Sequence, residues 1–200
     1  VHFFHFMYPF EKVRDSQSKT SAAAGGCVLI SRRALDKIGG IAGHRNAMID
    51  DLALARRIKQ ACLPLSLSLT KSVVSIRPYR RLSNVWNMVA RSAFTQLRCS
   101  WLALIGTVLG MTLLFLAPMA GICAFIGQTV SLATPIISAT TLLLMAGTYI
   151  PAIHFFELGR SRVFTLPIAG ILYMAMTVSS AMNHLSGRYV WRGHRSRNAL

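Results

Sequence analysis

The sequence predicts an α/β domain followed by two or three membrane-spanning helices. The charge of its 200 residues is unevenly placed: residues 1–98 hold 16 of the 22 Lys and Arg and five of the six acids. From Cys99 to Phe156 no residue is charged, a run of 58, and from Val163 to Gly187 none is charged again. One helical span needs about 20 apolar residues at about 1.5 Å each, so the first run is long enough for two spans and the second for one. The polar half, in contrast, reads as strand, helix, Asp-Asp, helix, strand, an order that suits the back half of an α/β nucleotide-binding domain. The boundaries follow: a polar domain over 1–80, an amphipathic helix over 81–98, a membrane domain over 99–187 with spans near 101–127, 133–156 and 163–183, and a basic aromatic tail over 188–200.

The chain opens on VHFFHFMYPF, too short and too His-rich for a span, with no secretory leader pattern ahead of it. This beginning suggests the C-terminal portion of a longer protein. Gly25 and Gly26 lead into Cys27-Val28-Leu29-Ile30, a buried-strand pattern. The glycine pair reads either as a turn or as a place where backbone approaches a ligand closely. Ser31 suits the N-cap of RRALDKI, which stops at Gly39-Gly40. After a short segment, AGHRNAMI, comes LALARRIKQACLP, with Leu52, Ala55, Ile58 and Cys62 on one helical face. Leu65, Leu67 and Leu69 then alternate as in a half-buried strand.

Asp50 and Asp51 stand side by side in front of that second helix, two of only six acids in a chain of net charge +16. Such a pair can cap a helix, accepting first-turn N–H groups and facing the positive end of the dipole. It can equally hold a catalytic base.

Further on, Leu82, Val85, Trp86, Val89, Ala93 and Leu97 recur at three- and four-residue steps, with Arg81, Arg91, Gln96 and Arg98 among the polar positions. An amphipathic helix just ahead of a span suits the membrane interface, with Arg toward headgroups. Arg91 is also the candidate for pointing at a phosphate-bearing substrate. Cys27, Cys62, Cys99 and Cys123 form no C-x-x-C pair, and His2 and His5 lack carboxylate or thiol company, so no zinc site or disulfide framework is expected.

Taken together, AAAGGCVLISRRALDKIGG and IDDLALARRI resemble the second half of family 2 glycosyltransferases. With R-P-Y, MVARSAFTQLR, MYPFEKV and GRYVWRGH, the string is most similar to the membrane-bound branch associated with hopanoid biosynthesis, over nearly the whole chain. The resemblance implies a GT-A-like fold and inverting transfer of a sugar from a nucleotide-diphospho-sugar to a membrane lipid acceptor. It aligns Asp51 with the catalytic aspartate and Asp50 with its acidic neighbour, and it puts Gly25 and Gly26 close to the substrates. It also implies Mg2+ or Mn2+ on a D-x-D motif; these 200 residues contain none, and the family carries it upstream. Relatives often carry Q/R-x-x-R-W; here Arg91 matches the Arg, while Met88 and Ser92 replace its neighbours. The tail has His194 where many relatives have Arg.

The implied location is the bacterial inner (plasma) membrane, with the catalytic part cytoplasmic and no nucleic-acid partner. A polyprenyl-phosphate sugar transferase, a polysaccharide synthase and a non-enzymatic transport or scaffold protein are the alternatives. One conflict stands in the topology. Three full spans would put Arg188, Arg192, Arg195 and Arg197 on the opposite side from the Arg-rich segment before Trp101, against the positive-inside rule.

Overall fold

In the computed structural model the chain forms two units, residues 1–78 and 79–200. The structure describes residues 2–41, 49–74, 79, 81–127, 130–187, 190–191 and 194–195. The AGHRNAM segment, the Arg77-Pro78 pair and most of the tail, including Arg188, Arg192, Gly193 and Arg197, lie outside the described residues.

Among its described residues the first unit carries four short helices: α1 (His2–Met7), α2 (Phe10–Arg14), α3 (Arg32–Lys37) and α4 (Asp50–Gln60). Ser31 caps α3 as its residue type demands, its Oγ accepting the Ala34 N–H at 3.2 Å. Val13, Ala22, Ile38, Leu52, Ala55 and Ile58 are buried. Along α4 the buried residues are Leu52, Ala55 and Ile58, one apolar stripe at helical spacing.

The expected α/β, GT-A-like fold is overturned here. Neither 27–30 nor 65–69 is a strand, and the first unit has no strand among its described residues. Both segments instead flank a cavity of about 620 Å³, lined by Val28, Ile30, Leu65 and Leu67 among others. Leu65, Leu67 and Leu69 are each half-buried while Ser66, Ser68 and Thr70 are exposed. Alternation therefore reports an extended chain with one face covered. A strand also needs a neighbouring backbone to pair with, and the alternation carries no information about that.

The second unit is helical. It comprises α5 (Leu82–Gln96), α6 (Trp101–Met111), a π-helical turn at Thr112–Leu116, α7 (Ala117–Ile126), α8 (Ala133–Phe155), a 3-10 helix at Arg160–Thr165, and α9 (Leu166–Leu185). Two two-residue strands, β1 (Val190–Trp191) and β2 (His194–Arg195), pair antiparallel beyond it. Three stretches are long and apolar enough to cross a membrane: Trp101–Ile126, Ala133–Phe155 and Arg160–Leu185.

Small and hydroxyl residues set the close approaches between these helices, as is usual where lipid supplies no hydrophobic drive for association. A Cβ on Gly121 would strike Ser138 Oγ, so α7 and α8 touch there. A Cβ on Gly170 would strike the Phe115 ring, which lies against α9. The amphipathic α5 is not covered by lipid alone. Its buried Ala90 and Phe94 face α9: the Phe94 N–H donates to Ser180 Oγ at 3.0 Å, and Trp86 Nε1 donates to Ser179 Oγ at 3.3 Å.

Candidate functional site

The two aspartates do different things. Neither is the N-cap of α4; Ile49 holds that position and makes no side-chain cap bond. Asp50 is exposed, and its Oδ1 accepts the N–H of Asp51 at 3.0 Å. This is a local bond between neighbours.

Asp51 is half-buried and makes one local and one long-range bond. Its Oδ1 accepts the Leu52 N–H at 2.7 Å, using one of the free donors of the first turn. Its Oδ2 accepts the Gly25 N–H at 2.8 Å, 26 residues away in sequence. Two backbone donors thus fix both oxygens and the plane of the carboxylate. Each oxygen keeps further acceptor capacity, since an ionised carboxylate offers about four lone-pair sites.

Gly25 is needed for this approach. A Cβ there would lie 3.0 Å from Asp51 Oδ2, tighter than ordinary contact, whereas a Cβ on Gly26 would meet nothing within 4 Å. Of the glycine pair, only Gly25 is brought to the aspartate, and what approaches its backbone is the Asp51 side chain. The turn that presents Gly25 closes with the Cys27 N–H donating to Ala24 O at 3.0 Å. At the other end of α4, the Lys59 ammonium donates to Asp15 O and, at 3.3 Å, to Ser18 O, so both ends of the helix are tied to the preceding chain.

Tyr8 joins the site electrostatically, a residue that the sequence pattern did not single out. Burial pushes its hydroxyl pKa up; Arg56 draws it down, and Asp51 adds an upward push. The phenol therefore sits within electrostatic reach of both the Asp51 carboxylate and the Arg56 guanidinium.

Arg91, the candidate for diphosphate contact, lies exposed on α5 in the second unit. As for a divalent metal, no three His, Cys, Asp or Glu side chains come together among the described residues. Those residues do not make a site for Mg2+ or Mn2+.

The family model for glycosyl transferase family 21 matches residues 1–198. No match was found among curated proteins or among solved structures. A glycosyltransferase is thus what the resemblance and the family match agree on, although the sequence pattern pointed to family 2 and the match is to family 21. The match covers nearly the whole chain, and the chain belongs to glycosyl transferase family 21.

Proposed function

We propose that Asp51 is the general base of an inverting transfer from a nucleotide-diphospho-sugar to a membrane lipid. The acceptor hydroxyl gives its proton to the Asp51 carboxylate. Its oxygen bonds to the anomeric carbon as the carbon–oxygen bond to the diphosphate breaks, and the nucleoside diphosphate leaves with the bonding pair. The single observation that carries this reading is the double anchoring of Asp51, one oxygen on Leu52 N–H and the other on Gly25 N–H. A base has to be held within hydrogen-bond reach of the proton that it removes, and two backbone donors supply that fixity.

Three apolar helices in the same chain support a lipid acceptor, since they keep the protein in the phase where such a substrate dissolves. The link to hopanoids rests on the motif string alone. The Arg-rich segment ahead of Trp101 supports a cytoplasmic catalytic unit at a bacterial plasma membrane.

The test compares Asp51→Asn with Asp50→Asn in the intact protein, assayed with a set of nucleotide sugars and membrane lipid extract. Asn preserves size and still accepts hydrogen bonds but cannot take up the proton. Asp51→Asn is expected to fold, insert and bind donor, yet lose at least about a hundredfold in turnover, within the range of general-base contributions. Asp50→Asn should lose far less. Turnover of Asp51→Asn within a few-fold of the parent would refute the assignment.

A further inference from the structure

We infer that both ends of the membrane domain emerge on the same face of the bilayer, so that α6–α7 and α9 cross it while α8, one continuous helix of 23 residues, lies against the far face with both of its ends there. The inference rests on the register of helices within the second unit. Phe94, Leu104 and Ala181 share one buried cluster. Thr112 Oγ1 donates to Met174 Sδ at 3.5 Å, and Phe115 packs on Gly170. Eleven residues forward from Leu104 to Phe115 thus match eleven back from Ala181 to Gly170. The two helices lie side by side and antiparallel over about 17 Å.

The start of the first span and the end of the last are consequently neighbours. The Phe94 ring stands 5.0 Å from Trp101 and 5.1 Å from His184, centroid to centroid. A hydrocarbon core about 30 Å thick separates the two faces of a bilayer, so residues this close to both ends share one face. Between Trp101 and Leu185 the chain therefore crosses an even number of times, although three of its segments are long and apolar enough to span.

The charged connection identifies the segment that does not carry the chain across. Leu166 lies fifteen residues from Ala181, about 22 Å along α9, toward the far face. Glu157, Arg160 and Arg162 precede it, and the 3-10 helix that starts at Arg160 runs directly into α9. Charges in the middle of the bilayer are costly, which places this connection at the far face. The other end of α8 starts there too, because Thr134 and Ser138 sit against Gly121 near the end of α7. Such a path also removes the charge conflict in the sequence.

Cysteine accessibility tests this in the full chain. In a background with Cys27, Cys62, Cys99 and Cys123 changed to Ser, single substitutions Ser83→Cys, Ser131→Cys, Ser161→Cys and Ser186→Cys place one thiol each at exposed positions. A membrane-impermeant maleimide is applied to sealed vesicles of each orientation, and detergent-opened vesicles establish that every thiol reacts. Ser83→Cys and Ser186→Cys should label from one face, and Ser131→Cys and Ser161→Cys from the other. Labelling of positions 83 and 186 from opposite faces would overturn the inference. So would labelling of 131 or 161 from the face that labels 83.

Discussion

Gly25 and Gly170 use the same steric device in the two units, with different results. Each leaves out a Cβ that would collide with a neighbour from elsewhere in the chain. At Gly25 the neighbour is a carboxylate, and the missing side chain lets a backbone N–H reach Asp51 Oδ2. At Gly170 it is the ring of Phe115, and the missing side chain lets two helices close on each other. On the proposed function the first use orients a reactive group; the second packs a wall. The position of a glycine thus reports a close approach, and the neighbour that fills the space decides whether the approach concerns chemistry or stability.

Substitutions can break the comparison from either side. The largest stability effect is expected at Gly170→Ala, where the added methyl meets the Phe115 ring, itself buried. Overpacking of this kind costs about 1–3 kcal/mol, to be read as a lowered unfolding midpoint in detergent. Gly147→Ala on α8 serves as the control, because nothing lies within 4 Å of a Cβ there. Equal destabilisation at both positions would mean that Gly170 is not a packing contact. Next is Ser180→Ala, which removes the acceptor facing the Phe94 N–H. Hydrogen bonds between membrane helices average about 0.6 kcal/mol, with a maximum near 1.7, so a smaller shift is expected. A loss larger than that of Gly170→Ala would reverse the ranking.

The two units were unequally legible in the sequence. The membrane helices could be read because their signal is length without charge, which needs no knowledge of partners. Their mutual arrangement could not: Phe115 against Gly170 and Phe94 against Ser180 join residues far apart in sequence, and hydropathy has no register in it. In the first unit the reverse held. Asp51 stood out as a candidate base by its residue type and its place ahead of a helix. The architecture around it is not legible there, because Leu65, Leu67 and Leu69 alternate whether or not a neighbouring strand exists. Tyr8 comes within reach of Asp51 only through folding, so nothing local marks it. Gly25 and Gly26 were indistinguishable as a pair, and only the position of Asp51 separates them.

The central claim is that Gly25 matters through the Asp51 carboxylate, and a double-mutant cycle on turnover in the intact protein tests it most directly. Gly25→Ala should displace the carboxylate by a few tenths of an ångström and lower turnover about tenfold, since small misplacements of a reacting group are costly. Gly26→Ala should leave turnover near the parent value. Once Asp51 has become Asn, no base remains to be misplaced. The Gly25→Ala, Asp51→Asn double variant should then turn over within about twofold of Asp51→Asn alone, the non-additivity expected of residues that act as one. Multiplication of the two losses in the double variant would contradict the account.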